Sequence, residues 1–433
     1  MTPPGSPPPV SLPAPSTPRS QIFVWTLFDF ANTSFSVLIV AVGYSLYFKD
    51  IVVGGAGKGD FFWGLIVSIS MLLTAVIAPV LGAASDYAHS RKLYLFGFTI
   101  ASVTCTALLY FIGPGMVFTG AALFIIANIG FEGGIVFYDA FLPFLTTKDR
   151  YGRISGYGFA MGYVGSLAAL LIARPLYAEG FTAGNLFNVR LSFVIAAVMF
   201  LLFSLPLFLF LRDRPGTATR QVSYVKAGFD RVRQTLSHMR SYRQVTLFLV
   251  AFFLYNDGIL TVISFASIFA QQSLDFSLQE ILILFAVVQA SAIVGSLIFG
   301  SMTDRIGPKR AIIASLVCWI GVVIGAYLVT SKALFYGISI VAGSCMGGSQ
   351  SASRSLMAML TPADREAEFF GFYDGFCGKA SAVIGTFVLG ALSCATGSQR
   401  IAALSVGLFF VAGLSVLHFV KDPSGKGVTR VEG

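Results

Sequence analysis

The feature that most restricts the fold of this chain is a series of twelve apolar runs, each long enough to cross a lipid bilayer. A membrane-spanning helix needs roughly 17–25 mainly apolar residues. The runs form two groups of six, separated by a polar stretch of about 30 residues. They are called spans 1 to 12 and lie at about 22–48, 61–84, 93–112, 116–142, 155–176, 191–211, 244–270, 280–302, 311–330, 333–358, 368–394 and 400–420. Such a pattern predicts an all-α membrane protein of twelve transmembrane helices.

An internal repeat relates the two groups of spans. The sequence LTPADR at 360–365 repeats LTTKDR at 145–150, which lies 215 residues upstream. The sequence GSMTD at 300–304 repeats GAASD at 82–86 with an offset of 218. The 215 offset also relates two further pairs, Gly156 with Gly371 and Ser166 with Ser381. Repetition over half a chain predicts two related structural units.

The repeat and the runs together predict two pseudo-symmetric six-helix bundles. The polar segments between and beside them are expected to be a linker and two tails. The predicted units are a disordered Pro-rich tail at 1–21, a first bundle at 22–211, a basic linker at 212–243, a second bundle at 244–420 and a second tail at 421–433.

The positions of the basic residues predict the orientation in the membrane. If both termini are cytoplasmic, 22 of the 29 Lys and Arg residues lie in cytoplasmic segments and 6 in outer segments. This asymmetry follows the positive-inside rule, so it explains the net charge of +9 without a nucleic-acid partner. Arginines of the linker, Arg231 among them, can instead contact anionic lipid headgroups. The short loops favour a bacterial inner membrane.

Composition also bears on cofactors and catalysis. The five cysteines and three histidines show no metal-ligand spacing, so no metal or cofactor is expected. An integral-membrane enzyme would need a nucleophile–base pair, a metal set or a phosphate loop near an interface. None of the loops offers one, and the chain is not expected to be an enzyme.

Four spans at matching places in the two bundles carry polar residues at helical spacing. A charge at the centre of a membrane-spanning helix costs about 2.5–3.5 kcal/mol, so these groups need partners, protons or water. A water-filled cavity between the bundles, lined by spans 1, 4, 7 and 10, meets that need and is the arrangement of an alternating-access transporter. The residues expected to bind substrate or line this cavity are Asp29, Asn32, Asn128, Asn256, Asp257 and Gln350.

Two of the buried acids are candidates for proton coupling. Asp257 lies near the middle of span 7 and Glu132 near the middle of span 4. An acid that is desolvated in a membrane titrates nearer to neutral pH, which suits a proton carrier. Each has a structural alternative: Asp257 can hydrogen-bond neighbouring helices, and Glu132 can pair with Lys379.

A further group of charged residues is expected to act in gating or conformational change. Asp139 and Arg354 are equivalent under the 215 offset yet opposite in charge, so they can form a gate between the bundles. The preferred alternative pairs Arg354 with Asp304 inside its own bundle. Lys379 is expected to pair with an acid from another helix. The full group comprises Asp86, Asp139, Asp304, Arg354, Asp374 and Lys379.

The loop at 300–310, GSMTDRIGPKR, resembles the loop that the major facilitator superfamily carries between spans 2 and 3 and again between spans 8 and 9. The first copy, at 82–92, departs from it at Tyr87 and His89, where Arg and Gly are expected.

Three other segments resemble one family of that superfamily, the "unknown major facilitator" family. They are WTLFDFANTS at 25–34, FYDA at 137–140 and the Gly-rich stretch 347–387, which includes REAEFFGFY at 365–373. The resemblance extends from residue 22 to 420. Members of the family include autophagy-related amino-acid effluxers of fungal vacuoles, so the resemblance implies a twelve-helix transporter, with an amino-acid substrate implied by that branch alone.

The sequence therefore predicts a secondary transporter, acting as a monomer, that moves a small polar solute such as an amino acid. Transport is expected to be coupled to protons or to run as facilitated diffusion. A lipid flippase of the same fold remains the main alternative, because the sequence does not reveal a lateral opening.

Overall fold

A computed structural model describes residues 18–211, 224–396 and 399–425. Within those ranges the regular elements are all helical. The α-helices are Arg19–Phe35, Gly43–Tyr47, Ala56–Ala88, Arg91–Leu108, Val117–Asp139, Leu142–Leu145, Tyr151–Leu176, Leu186–Phe210, Tyr224–Ser237, Arg243–Leu274, Leu278–Ile306, Pro308–Leu328, Lys332–Leu360, Glu366–Phe370, Gly378–Ala380, Ala382–Thr396 and Gln399–His418. The remaining helical elements are three π-helical segments and three 3-10 turns. The π-helical segments are Ser36–Ala41, Phe48–Val52 and Gly371–Cys377, and the 3-10 turns are Leu109–Phe111, Lys148–Arg150 and Ala183–Asn185.

The predicted tails and linker lie partly outside the described residues. Residues 1–17 of the first tail, 212–223 of the linker and 426–433 of the second tail are not described. The prediction of disorder up to residue 21 is wrong at its end, because the first helix begins at Arg19.

Ten of the described helical stretches are long and apolar enough to cross a membrane. The helix of span 10, Lys332–Leu360, is long enough but carries many Gly and Ser residues and Arg354. Span 11 is divided among several helical pieces between Glu366 and Thr396. The linker-side parts of these two spans, 343–359 and 366–370, are largely buried between other helices, which is where polar and interrupted helices are tolerated in a bilayer.

The side of the molecule that carries the linker helix is called the linker side, and the other the far side. Span 6 ends and span 7 begins at the linker, so odd-numbered spans run from the linker side to the far side. The two bundles meet along two equivalent seams, with span 5 against span 8 and span 2 against span 11. The repeat in the sequence therefore appears as a repeat in the contacts.

Close contact at both seams depends on glycines related by the 215 offset. A Cβ atom on Gly156 of span 5 would lie 3.2 Å from the Cα atom of Gly300 in span 8. A Cβ atom on Gly371 of span 11 would lie only 2.6 Å from the Cα atom of Pro79 in span 2. Small residues allow helix backbones to approach in this way.

The described part of the linker is an amphipathic helix, Tyr224–Ser237, that packs on span 2. Gly228 faces the Val80 carbonyl, where a Cβ atom would lie at 2.5 Å. Arg231, for which headgroup contact was the alternative to a positive-inside role, bonds Glu368 of span 11 at 3.2 Å. The helix therefore contacts both bundles.

Candidate functional site

A cavity of about 500 Å³ lies in the far-side half of the molecule. Its walls come from both bundles and are mostly apolar, with a few hydroxyl and amide side chains among them. Ser36 and Ser166 belong to the first bundle, and Ser267, Gln289 and Ser339 to the second. A solute that enters from the far side would meet this surface first.

None of the six residues expected to line the cavity lines this one. They lie deeper, toward the linker side, in a layer where side chains bond one another. These six residues of spans 1, 4, 7 and 10 thus do not form the walls of this cavity, and their exposure to an aqueous space stays a prediction. At this depth helices are in contact, and Asp29, Asn128, Asn256 and Gln350 each hydrogen-bond a side chain of a neighbouring helix.

Arg354 of span 10 is the centre of that layer and is almost completely buried. Its Nη1 atom donates to Asp139 Oδ1 at 2.6 Å, and its Nε and Nη2 atoms donate to the side chain and the backbone carbonyl of Ser155 at 2.9 and 2.8 Å. Asp29 Oδ2 lies 3.6 Å from Nη1. These partners come from spans 1, 4 and 5, so the guanidinium of one bundle is held by the other.

Aromatic rings surround this guanidinium. The Arg354 Cζ atom lies 4.0 Å from the centre of the Phe159 ring and 5.0 Å from that of Trp25. Trp25 stacks on Tyr138 with ring centres 4.6 Å apart, and Tyr138 donates to Asp29 at 2.7 Å. Cation–π contacts strengthen where water is excluded, so the cage favours a charged Arg354.

The expected pairing of Arg354 with Asp304 is wrong. Asp304, at the end of span 8, accepts hydrogen bonds from the backbone N–H groups of Gly152 at 2.8 Å and Arg153 at 3.2 Å. Those groups open the helix of span 5, where a carboxylate also meets the positive end of the helix dipole. Asp304 thus joins the bundles and does not bond Arg354.

Asp86 makes the equivalent contact at the other seam. It accepts from the N–H groups of Ala367 at 3.2 Å and Glu368 at 2.9 Å at the start of span 11. Arg91 bonds both Asp86 at 2.7 Å and Glu366 at 2.5 Å. Together, the two acids close the linker side symmetrically.

Glu132 and Lys379 form an ion pair between span 4 and span 11. The expected partner of Lys379, an acid from another helix, is thus present. Asp374, one turn before it, lies beside Asp139 and interacts with both Asp139 and Lys379. A chain of charged groups therefore runs from Glu132 to Arg354 along the boundary between the bundles.

The remaining predicted residues are divided between the two bundles. Asn128 is buried inside the first bundle, donating to Ser70 of span 2 at 2.9 Å, and Asn32 is buried in span 1. Asn256 donates to Ser381 of span 11 at 2.8 Å. Gln350 accepts from Tyr163 of span 5 at 2.5 Å and therefore joins the two bundles.

Several residues of the site were not identified from the sequence. Ser155 and Phe159 gave no signal, because a serine and a phenylalanine are ordinary in a membrane helix. Trp25 and Tyr138 lay inside the segments quoted for the family resemblance but received no role. Glu368, which is fully buried, could have been suspected because a carboxylate at that depth requires partners.

The arrangement can hold one side of the molecule closed while the other side is open. Charged contacts across both seams and at Arg354 shut the linker side, and the cavity faces away from them. The site is suited to binding and conformational exchange of a solute.

Comparisons with known proteins agree with this geometry. The sequence profile of the family described as "vacuole effluxer Atg22 like" matches residues 52–152 and 146–428. An MFS-type transporter, YxiO of Bacillus subtilis, is 30% identical over 416 residues, covering 94% of this chain and 96% of YxiO. Autophagy-related protein 22 of Yarrowia lipolytica is 27% identical over 423 residues, covering 77% of this chain and 71% of that protein.

Solved structures share the fold at low sequence identity. The human organic anion transporter MFSD10 has a TM-score of 0.71 at 16% identity and covers 92% of this chain and 99% of its own. The E. coli fucose:proton symporter FucP has a TM-score of 0.72 at 13% identity, with 93% and 98% covered. The chain is an integral, multi-pass, non-enzymatic membrane protein with the major facilitator fold, and it belongs to the vacuole effluxer Atg22-like family of MFS transporters.

Proposed function

We propose that this transporter moves a neutral amino acid by alternating access, coupled to protons, as a monomer in a bacterial inner membrane with its linker side in the cytoplasm. The observation that carries the proposal is the contrast between the two sides. A cavity of about 500 Å³ opens in the far-side half, while cross-bundle ion pairs close the linker side. An alternating-access transporter exchanges such a state with its opposite.

The nature of the solute follows from the surfaces that it would meet. The cavity walls are mainly apolar with a few hydroxyl groups, and the partly exposed Asp29 and Gln350 lie below them. A molecule with a charged head and an apolar part fits both regions. Amino acids have this form, and the resemblance to vacuolar amino-acid effluxers supports the same class.

Proton coupling is assigned to Glu132. Its ion pair with Lys379 joins the two bundles. A proton on Glu132 would remove the attraction, so the bundles could separate there on the linker side. Asp257, the other candidate for proton coupling, accepts a hydrogen bond from the backbone N–H of Gly385. It takes no part in the Glu132–Lys379 ion pair and therefore fits the coupling role less well.

Radiolabelled counterflow in proteoliposomes tests the proposal. A panel of amino acids would be offered with and without an imposed proton gradient, using the parent protein, Glu132→Gln and the control Glu179→Gln. Glu179 is exposed on the far side. We expect Glu132→Gln to exchange solute but to lose gradient-driven accumulation, and Glu179→Gln to behave as the parent.

Three results would overturn parts of the proposal. If no amino acid moves through protein shown to be folded, the substrate class is wrong. If the detergent-solubilised protein is stabilised by lysolipids and by no water-soluble solute, a lipid flippase becomes the better description. Accumulation that survives in Glu132→Gln would remove the coupling role of Glu132 alone.

A further inference from the structure

The linker helix, Tyr224–Ser237, uses one face to contact the rest of the protein. On that face Gly228 packs against span 2 of the first bundle. Arg231 bonds Glu368 of span 11 at 3.2 Å, and the buried Thr235 hydroxyl donates to the same carboxylate. This face is therefore occupied, and a further partner would have to bind the remaining surface of the helix.

That remaining surface is amphipathic. Phe229 and Leu236, seven residues apart and therefore on one face, are 62% and 51% exposed. Lys226 and Arg233, also seven residues apart, are exposed on a face about 50° further round the helix axis. An apolar stripe bordered by basic residues is the pattern of a helix that lies in the interface of a bilayer, where Lys and Arg side chains reach the headgroups.

The contact with span 2 places the helix at the edge of the bilayer. Gly228 faces Val80 and Ala84, which lie within the apolar run predicted to cross the membrane at 61–84. Val76, about one turn before Val80 on the same side of span 2, is exposed, as expected for a residue that contacts lipid. The linker helix therefore extends the lipid-facing surface of span 2 toward the linker side.

An apolar groove of about 580 Å³ lies beside the first turn of the linker helix. Tyr224 of the helix contributes to its walls, together with Leu93, Gly97 and Phe98 of span 3. Leu93 is exposed, and a Cβ atom on Gly97 would meet no atom within 4 Å, so the groove is open along span 3. Such a surface suits the acyl chain of a lipid whose headgroup lies at the level of the linker helix.

The charge of this segment selects an anionic lipid. Residues 224–243 contain five Lys and Arg residues and one acid, Asp230. Arg231 is used by Glu368. The other four basic residues are exposed: Lys226, Arg233, Arg240 and Arg243. A neutral lipid would cover the apolar stripe but leave these charges unmatched, whereas each basic residue near an anionic membrane surface adds to the attraction.

We propose that the outer surface of the linker helix, formed by Lys226, Phe229, Arg233 and Leu236, binds anionic phospholipids of the linker-side leaflet. The inference goes beyond the proposed transport function and does not depend on the solute or the coupling ion. An absence of amino-acid exchange would therefore leave it unchanged.

Quenching of a fluorophore by spin-labelled lipid tests the surface in the full-length protein. Bimane would be attached to Leu236→Cys in a background without the five native cysteines, and the protein would be reconstituted into phosphatidylcholine vesicles. A spin label near the headgroup would be carried by phosphatidylglycerol or by phosphatidylcholine. We expect phosphatidylglycerol to quench at a mole fraction about tenfold or more lower than phosphatidylcholine. Added salt should reduce this preference, because the attraction is electrostatic.

A charge variant separates binding of anionic lipid from contact with any lipid. Lys226→Gln combined with Arg233→Gln should remove most of the preference for phosphatidylglycerol, while quenching by phosphatidylcholine remains. The matched control is Lys148→Gln combined with Arg150→Gln, which removes two exposed charges from another linker-side loop and should leave the preference unchanged. Equal loss of preference in both double variants would indicate a general effect of net charge and overturn the assignment to the linker helix.

Bimane on Gln234→Cys reports the other side of the helix. Gln234 is exposed and lies about 160° round the axis from Leu236, so we expect quenching by acrylamide in water and little by either lipid. Equal quenching of the Leu236→Cys label by the two lipids would overturn the proposal, as would stronger quenching of that label by acrylamide than by lipid. If Leu236→Cys does not reconstitute, Phe229→Cys on the same apolar stripe decides in the same way.

Discussion

Arg354 Nη1 donates to Asp139 Oδ1 at 2.6 Å, and the two residues occupy equivalent positions 215 residues apart in the internal repeat. One copy of the position carries a carboxylate and the other a guanidinium. Because opposite charges stand at symmetry-related places, they attract each other across the boundary between the bundles. The divergence of the two copies thus produced a contact that two identical copies could not make.

Breaking this pair should destabilise the protein strongly. Removing one partner of a buried ion pair typically costs about 3–5 kcal/mol, because the other charge is left uncompensated. We expect Arg354→Met and Asp139→Leu each to lower the thermal stability of the detergent-solubilised protein, and the double variant to lose less than the sum. Thermal unfolding and a double-mutant cycle measure the coupling. Arg400→Met is the control, since Arg400 bonds the Tyr327 carbonyl of its own bundle. Additive losses would show that the two side chains are not coupled.

The two seam acids should control which side of the transporter is open. Asp86 and Asp304 each accept two backbone N–H bonds from the opposite bundle, and hydrogen bonds to charged groups contribute about 1.5–3 kcal/mol. An Asn amide would turn a donor toward one of those N–H groups. We expect Asp86→Asn and Asp304→Asn to reduce the far-side-open population about tenfold or more.

Labelling with a membrane-impermeant maleimide can measure that population. The reporter is Ser267→Cys, which lines the far-side cavity, in a background without the five native cysteines. Labelling from the far side should slow in each Asn variant and slow further in the double variant. Asp60→Asn serves as a control, because Asp60 pairs with Lys49 on the far side. Unchanged labelling in both seam variants would contradict the assigned role.

The repeat was enough to predict much of the fold. The matches of Gly156 with Gly371 and of residues 82–86 with 300–304 lie on the two seams between the bundles. Backbone-level requirements such as close helix approach and helix capping leave a signature in the sequence, because few residue types satisfy them. The twelve apolar runs likewise follow directly from the thickness of the bilayer.

Side-chain partners were harder to predict. The preferred prediction paired Arg354 with Asp304 of its own bundle, whereas in the structure Arg354 bonds Asp139 of the other bundle. The polar stripes were assigned to a cavity because spacing shows which residues share a helix face but not whether that face meets water. Whether a helix face meets water depends on which side of the transporter is open, and one sequence encodes both conformations.

The close approach of span 11 to span 2 should depend on the absence of a side chain at Gly371. A Cβ atom there would lie 2.6 Å from Pro79 Cα, so Gly371→Ala forces a backbone shift, and overpacking of this kind costs about 1–3 kcal/mol. Because this contact helps to close the linker side, we expect the variant to slow far-side labelling of Ser267→Cys and to reduce counterflow. Gly378→Ala on the same span is the matched control, since a Cβ atom there would lie 3.4 Å from the Tyr373 carbonyl oxygen, an ordinary contact distance. If Gly371→Ala labels and transports like Gly378→Ala, the seam can relax around a methyl group and the glycine is not needed for closure.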